Sequence, residues 1–326
     1  MVASQLPNTT NPQNTAFVAA PTHVVAIVNP YAGVRRGQRL LNILERRSWA
    51  AKLTIFETQH GSLDAYHKAI EFARNEGADR LLVAGGDGTL MEALTAMLSS
   101  GKSIPISIVP IGTGNIVARD LSVPRRMLRA VQMAFRPGNI KWWDVGKLLE
   151  TDHIFALRAS AGHDARTLAV TRDQAKQRWG TMAYAYPALR ELLRTEPSSY
   201  TLTIDNQQPI TMQGITAFVA VTSRVAGRLD IVLSHDIQPD DGLLHVGVIR
   251  RKKLHRNVPI ALNRGDLEEA HIVSSFPVRN HVRIDCDEPQ LTQVDGELLD
   301  ERSTLTVDVI PSAAPFITPI KQAAKQ

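Results

Sequence analysis

The feature that most restricts the fold of this chain is a repeated alternation, in its first half, of short apolar segments and helix-like stretches. The apolar segments are residues 24–28, 53–56, 81–84 and 106–111. Helix-like stretches follow at 35–47 and 62–75, and turns rich in glycine join the two kinds of segment. Because strands that alternate with helices form parallel sheets, this half predicts an α/β domain with a doubly wound parallel sheet. Ligands of such sheets bind at the carboxyl ends of the strands.

The second half of the chain has a different pattern, in which apolar and polar residues alternate over short segments. These segments are residues 200–204, 215–221, 243–249, 282–286 and 305–310. Asp205 and Asn206 follow the first of them and predict a turn, whereas residues 172–193 are helix-like. We therefore predict a disordered arm at 1–20, an α/β domain at 21–150 and a β-rich domain at 151–326.

Composition limits the cellular setting and the partners. The 326 residues allow two cores, and the single cysteine, Cys286, excludes an intrachain disulfide. No apolar run is long enough to cross a bilayer and the N-terminus lacks the features of a secretory signal. We therefore expect a cytoplasmic protein with peripheral contact at the inner face of the membrane. The net charge of +5 suits an anionic partner, but no dense basic stripe indicates nucleic acid.

The strongest chemical signal is the sequence Gly85, Gly86, Asp87, Gly88 and Thr89, which lies between an apolar strand and a helix-like stretch. Glycines let backbone N–H groups approach a polyphosphate, and the start of a helix adds unpaired N–H groups and partial positive charge. Asp87 indicates chemistry, because a carboxylate beside phosphates is repulsive unless it holds a metal ion, a ribose hydroxyl or an acceptor hydroxyl. The alternative is a tight turn in which the aspartate is a capping residue.

A second glycine turn, at residues 110–115, follows the next apolar segment and is expected at the same edge of the sheet. Taken singly, helix capping explains its glycine and asparagine residues equally well. The chain contains neither GxxxxGK[ST] nor GxGxxG, so the common phosphate-binding loops do not apply. A different phosphate-binding architecture is needed.

In series, the segments NPYAG at 29, GGDGTLMEAL at 85, PIGTGNIVARDL at 110, DDGLL at 240 and VDGE at 294 resemble the diacylglycerol kinase catalytic family. The resemblance implies an ATP-dependent lipid kinase that transfers the γ-phosphoryl group to a hydroxyl of diacylglycerol or a related lipid. It also implies an ATP-binding first domain, a β-sandwich that holds the lipid, and an active site in the cleft between them. Ile116 and Val117 depart from the family, in which Asp-Phe commonly follows the asparagine.

The resemblance also assigns roles to individual residues. The residues assigned to ATP are Asn29, Thr58, Gly85, Gly86, Asp87, Gly88, Thr89 and Thr113. In the VDGE segment, Glu297 is the residue that resembles the proton acceptor for the lipid hydroxyl, with Asp295 as the second candidate. A general base of this kind raises the rate of a reaction by a factor of roughly 10²–10⁴. The alternative is that Asp295 and Gly296 only form a hairpin turn.

A structural Mg²⁺ site is implied by the resemblance of residues 238–243 to the family's second metal site. Its ligands would be the carboxylate of Asp241 and the backbone carbonyls of Gln238 and Leu243. Hard oxygen ligands suit Mg²⁺, although a solvated turn with adjacent acids is the alternative. The catalytic Mg²⁺ is expected to arrive with ATP.

Two other functions stay open at this point. An NAD kinase-like enzyme also has GGDGT, but it would need a GxLGF-type segment that the chain lacks. A non-catalytic lipid- or nucleotide-binding protein would not need Asp87, Asp295 and Glu297 together. The basic run at 250–256 could dock on anionic lipid headgroups, with a solvated loop as the alternative. Edge strands of the second domain could pair between subunits in a homodimer.

Overall fold

A computed structural model describes residues 15–33, 35–58, 63–163, 165, 196–224, 232–251 and 265–320. The chain divides into two compact units. Unit 1 contains the residues up to 143, a short excursion at 240–242 and the residues from 311 onward. Unit 2 contains residues 144–239 and 243–310. Within the described ranges, no helix has the length and apolar character that crossing a bilayer requires.

Unit 1 is built on the alternation of strands and helices that the sequence predicts. Its elements are β1 (Thr15–Val18), β2 (His23–Val28), α1 (Arg36–Arg46), β3 (Lys52–Glu57), α2 (Asp64–Asn75), β4 (Arg80–Gly85), α3 (Asp87–Ser99), β5 (Ile106–Pro110), α4 (Ile116–Asp120) and α5 (Met127–Ala134). The strands β5, β4, β2 and β3 lie side by side in that order and are parallel. The predicted α/β fold with a doubly wound parallel sheet is confirmed.

Position in the sheet explains why these strands were visible in the sequence. The central strands β2 and β4 are buried along their whole length, which requires a continuous apolar run. Helix α1 covers the sheet with Leu40, Leu41 and Leu44 and leaves its charged residues in solvent. A fully buried charge, Arg80 of β4, is tolerated because its guanidinium donates to the carbonyls of Ala19, Ala134 and Arg136.

Two parts of unit 1 were not foreseen from the sequence. Residues 15–18, which the prediction assigned to the disordered arm, form β1 and pair antiparallel with the first residues of β6 (Gly138–Leu148). Phe316, near the end of the chain, pairs with Ile106 and adds a parallel neighbour to β5. Both pairings join segments far apart in sequence, and neither segment is long enough to be recognised without its partner.

Unit 2 consists mainly of antiparallel strands, as predicted. They are the end of β6, β7 (His153–Phe155), β8 (Arg158–Gly162), β9 (Ser198–Ile204), β10 (Ile210–Gly214), β11 (Thr216–Ala220), β12 (Leu244–Ile249), β13 (Val273–Val278), β14 (His281–Val294) and the first part of β15 (Glu297–Thr318). The order β13-β12-β11-β8-β14 is continuous, while β9 pairs with β14 and β10 with β9. The β-rich second half of the prediction is confirmed.

The hairpin after β9 corrects one detail of the sequence analysis. Asp205 and Asn206 have positive φ of 46° and 60° and form the predicted turn. The strand that pairs with β9 is β10, whereas residues 215–221 belong with β11, which pairs with β8 and β12. Strand β10 was missed because its residues are mostly exposed and show no apolar alternation. The helix-like stretch at 172–193 lies outside the described residues.

The buried His245 of β12 predicts a pH-dependent stability for unit 2. Its Nε2 has no hydrogen-bond partner within the described ranges, and burial lowers the pKa of His245 more than Glu268 and Asp236 raise it. Below pH of about 6.5 the unfolded chain therefore binds more protons than the folded chain. The free energy of unfolding consequently decreases as the pH is lowered. We expect the urea midpoint to drop between pH 7 and pH 5.5, and His245→Gln to flatten this dependence.

The control for this measurement is His271→Gln, because His271 is exposed. This variant is expected to keep the wild-type dependence of the midpoint on pH. An unchanged dependence in His245→Gln would show that a group other than His245 causes it.

Candidate functional site

Three loops of unit 1 meet at the carboxyl edge of its parallel sheet. They follow β2, β4 and β5, and backbone hydrogen bonds join them directly. The N–H groups of Ile111 and Gly112 donate to the carbonyl of Gly85 at 3.0 and 3.1 Å. The N–H of Asn29 donates to the carbonyl of Ala84 at 2.9 Å. The loops that the sequence singled out therefore form one continuous surface in unit 1.

Glycine is required where these loops touch, because their backbones pack without room for a side chain. A Cβ atom on Gly112 would overlap with the Cα of Gly86. A Cβ atom on Gly33 would overlap with the carbonyl oxygen of Ile111, and Gly33 also has φ of 50°. Gly88 differs from these, since nothing lies within 4 Å of the position its Cβ would take. The space beside Gly88 is open.

This difference predicts that two alanine substitutions will affect the free energy of unfolding differently. Gly112→Ala forces backbone against backbone and is expected to lower the free energy of unfolding by about 1–3 kcal/mol. Gly88→Ala, in the first turn of α3, adds a methyl group in open space and is expected to leave stability unchanged or raise it by about 0.5–1 kcal/mol. Urea unfolding of both variants tests this, and equal midpoints would contradict the close packing of the loops.

Asp87, the first residue of α3, links two of the loops. Its Oδ1 accepts the N–H of Ile116 at 2.8 Å, and the N–H groups of Val117 and Asn115 also interact with the carboxylate. Burial raises the pKa of Asp87, and these donors act against that effect. Asp87 therefore caps the start of α4, a neighbouring helix, which agrees with the capping alternative from the sequence, while its chemical role stays a prediction. Since Ile116 and Val117 contribute backbone groups here, their side chains do not alter this contact.

The first turn of α3 offers unpaired donors. Its N-cap, Gly86, has no side chain that could cap the helix, and the partial positive charge of the helix is concentrated there. The neighbouring Gly88 and Thr113 are exposed. Such an arrangement suits an anion such as a phosphate group.

Two threonine side chains of this region are buried. Thr58 and Thr89 are buried, and the side-chain amide of Asn29 donates to Oγ1 of Thr89 at 3.2 Å. Both hydroxyls interact with the phenol of Tyr66, a residue of α2 that the sequence analysis missed because it resembles an ordinary core position. Burial, followed by a hydrogen bond to Glu92, raises the pKa of Tyr66 well above its usual value. The phenol therefore stays neutral and ties α2 to the loops.

In unit 2, Asp295 and Gly296 form the two-residue turn that connects β14 to β15. Their φ values of 48° and 87° are both positive, and Val294 pairs with Glu297 across the turn. This is the geometry of a type I′ hairpin turn, for which Asp-Gly is a favoured sequence. The predicted hairpin turn is present, and the functional question is what the two carboxylates beside it do.

The carboxylate of Asp295 is fully engaged by backbone donors. Its Oδ1 accepts the N–H groups of Leu157 and Arg158 at 3.0 and 2.7 Å, and its Oδ2 accepts the N–H of Ala156 at 2.9 Å. The N–H of Asp295 donates in turn to the carbonyl of Arg158 at 2.9 Å. Asp295 thus fastens the hairpin turn to the segment between β7 and β8.

Glu297 has the opposite environment. Its side chain is exposed, and the structure records no hydrogen bond or ion pair for it with any described residue. An exposed carboxylate without a partner can accept a proton or a hydrogen bond from a ligand. Of the two acids in this segment, only Glu297 has this freedom.

The residues of the implied Mg²⁺ site belong to different units, with Asp241 in unit 1 and Gln238 and Leu243 in unit 2. Asp241 is partly buried, and its neighbour Asp240 is neutralised by Lys141 at 3.1 Å. Across the described ranges, no group of three His, Cys, Asp or Glu residues could hold a metal ion. An all-side-chain metal cluster is therefore absent from the described part of the chain.

Two family models match the chain, one over most of each half. Residues 23–148 match the diacylglycerol kinase catalytic domain. Residues 158–318 match the YegS C-terminal NAD kinase β-sandwich-like domain. The first match contains all three glycine loops, and the second contains the Asp295–Gly296 turn.

Curated relatives and a solved structure are similar over most of the chain. A diacylglycerol kinase of Mycobacterium tuberculosis is 28% identical over 272 residues, which cover 79% of this chain and 84% of the relative. A diacylglycerol kinase of Bacillus subtilis is 24% identical over 277 residues, covering 83% and 88%. The crystal structure of a diacylglycerol kinase from Bacillus anthracis superposes with a TM-score of 0.66 at 19% identity, covering 91% of this chain and 97% of that one. This last likeness supports the fold.

Proposed function

The chain belongs to the diacylglycerol kinase catalytic family, and we propose that this lipid kinase transfers the γ-phosphoryl group of ATP to a hydroxyl of diacylglycerol or a related lipid. The observation that carries the proposal is the meeting of three glycine loops at the N-terminus of α3 in unit 1. Phosphoryl transfer depends mainly on positioning and on electrostatic stabilisation, and such a surface supplies both for a triphosphate.

The phosphates of ATP are bound by backbone donors in this proposal. The donors would be the N–H groups of the first turn of α3, from Gly86 to Thr89, and the space around the Cβ position of Gly88 in this turn is open. Thr113 adds an exposed hydroxyl from the β5–α4 loop. Asn29, Thr58 and the hydroxyl of Thr89 act indirectly, because their hydrogen bonds are made within the protein and hold the loops in place.

The environment of Asp87 suits Mg²⁺. Its carboxylate is desolvated by burial, and the interactions that offset this cost come from backbone N–H groups. A divalent cation beside it would stabilise the ionised form, so Asp87 is the residue of unit 1 that would hold the Mg²⁺ accompanying ATP. When bound, Mg²⁺ neutralises charge on the transferred phosphoryl group. A second, structural Mg²⁺ would use the carboxylate of Asp241 and the carbonyls of Gln238 and Leu243.

The proton of the lipid hydroxyl passes to Glu297. Its carboxylate is exposed and uncommitted, whereas the carboxylate of Asp295 accepts three backbone hydrogen bonds. This difference supports the order in which the sequence places them, with Glu297 before Asp295. Peripheral contact with an anionic bilayer and a homodimer through edge strands remain predictions, as does docking by the basic run at 250–256, most of which lies outside the described residues.

The experiment that tests the function follows the label of γ-³²P ATP into a panel of acceptors. Diacylglycerol, monoacylglycerol, a sphingoid base and a polyprenol are presented in mixed micelles, with NAD as the water-soluble alternative and with Mg²⁺ or excess EDTA. We expect Mg²⁺-dependent label in the organic phase with one of the lipids. Label found only in NADP would replace the lipid kinase with an NAD kinase, and no transfer to any acceptor would favour a binding protein.

A further inference from the structure

We propose that Gln293, together with Ser160, is a positioning residue for Glu297. The inference rests on the proposed function, in which Glu297 accepts the proton of the lipid hydroxyl. Gln293 and Ser160 face each other across the pairing of β14 with β8. The amide of Gln293 donates to Oγ of Ser160 at 2.7 Å and accepts the N–H of Gly296 at 2.8 Å. Gly296 is the residue directly before Glu297.

The hydrogen bond to Gly296 matters because of where it lies in the turn. In a two-residue hairpin, the residues of the turn itself have no partner across the ladder, so their N–H groups need partners elsewhere. The N–H of Asp295 donates to the carbonyl of Arg158, and the N–H of Gly296 donates to Gln293. Both amides of the turn are therefore held by groups outside it. The backbone that leads into Glu297 is therefore held at both residues of the turn.

The burial of Gln293 and Ser160 supports a role for the pair in holding the turn before Glu297. Ser160 is fully buried and Gln293 is 5% exposed, and the residues on either side of Ser160, Ala159 and Ala161, are buried and apolar. Burying an amide costs free energy unless both ends are hydrogen-bonded, and an apolar residue would fill this position without that requirement. The side chain of Glu297 has no partner among the described residues that could orient it. Its carboxylate is therefore placed chiefly by the backbone that Gln293 holds.

Substitution by a residue of similar shape separates positioning from packing. Gln293→Met keeps the volume but loses both hydrogen bonds, and we expect kcat to fall about ten- to a hundredfold, as for small misplacements of a reacting group. The KM for ATP should stay within about twofold, because the loops of unit 1 are untouched. Ser160→Ala removes one arm of the support and should reduce kcat by a smaller factor.

The matched control is Gln290→Met. Gln290 lies on the same strand, is 4% exposed and donates to Oγ of Ser198 at 3.1 Å. It resembles Gln293 in burial and chemistry, but its side-chain amide donates to a residue of β9 and not to the turn. We expect its kcat to stay within about twofold of wild type. A loss equal to that of Gln293→Met would mean that any buried glutamine of β14 matters only for folding, and would overturn the inference.

A double-mutant cycle decides whether Gln293 acts through Glu297. In a Glu297→Gln background, Gln293→Met should lower kcat no further, whereas general damage to the fold would lower it in both backgrounds. If Glu297→Gln loses activity while Gln293→Met does not, only the present inference fails. If Glu297→Gln turns over as fast as wild type, the assignment of the base fails as well.

Hydrogen exchange provides a readout that does not depend on turnover. The amide of Gly296 is expected to exchange slowly in the wild-type chain and in Gln290→Met, and faster in Gln293→Met. Equal exchange in all three would show that Gln293 does not hold the turn and would overturn the inference even if kcat fell.

Discussion

Replacing Glu297 by glutamine is expected to lower kcat for lipid phosphorylation by roughly 10²–10⁴, the contribution of a positioned general base. Glutamine keeps the size and the hydrogen-bonding reach of the side chain but cannot take a proton at neutral pH. The lipid hydroxyl would then attack while still protonated. The KM for ATP should change little, because the nucleotide surface of unit 1 consists of backbone donors around α3. Steady-state kinetics with labelled ATP and the best lipid of the panel measure both constants.

The control is Glu301→Gln, which removes another exposed carboxylate from the same strand, β15. It alters the net charge by the same amount, so it accounts for any general electrostatic effect on the approach of ATP or of an anionic interface. We expect wild-type turnover from this variant. A Glu297→Gln enzyme that retains turnover within about twofold of wild type would exclude Glu297 as the base.

The strands that sequence patterns predicted have regular burial, either along the whole strand or at alternate residues, as in β9. Strands β2 and β4 are central, so their sequences are apolar after the first residue, and the glycine loops after them had to lie at one edge. Strand β10 is mostly exposed and β1 is a four-residue edge strand, so neither carries a periodic signal. The strand formed near Phe316 depends on a pairing with Ile106 that no local pattern encodes.

In the site, residue types indicate where two backbones approach closely, whereas only the structure shows which groups a polar side chain contacts. Glycine at 86 and 112 implies close backbone approach, and the structure contains it between these two residues. The direction in which a polar side chain turns is not contained in its type. From the sequence, Asp87 and Asp295 were candidates for either a chemical or a local structural role, and in the structure backbone N–H groups engage both. The sequence analysis did not single out Tyr66 and Gln293, which contact the elements that carry the proposed chemistry.

The different environments of Asp295 and Glu297 predict that Asp295→Ala will mainly affect stability. The substitution removes an acceptor from three backbone N–H groups at 2.7–3.0 Å. It also places alanine at φ of 48°, a left-handed conformation that costs roughly 1–2 kcal/mol without glycine, asparagine or aspartate. We expect a total loss of about 3 kcal/mol or more in the free energy of unfolding, measured by urea titration.

Asp295→Asn removes the negative charge of the side chain while it preserves the geometry of the turn. Asparagine is well suited to the type I′ turn, and its carbonyl oxygen can still accept the N–H groups of Leu157 and Arg158, while its NH₂ faces the N–H of Ala156. The expected loss is about 1–2 kcal/mol, with kcat of the folded enzyme within a few-fold of wild type. A variant that unfolds at the wild-type midpoint but turns over a hundredfold more slowly would place Asp295 in the reaction. In that case its three hydrogen bonds would serve to hold a reacting carboxylate, and Glu297 would no longer be the better candidate for the base.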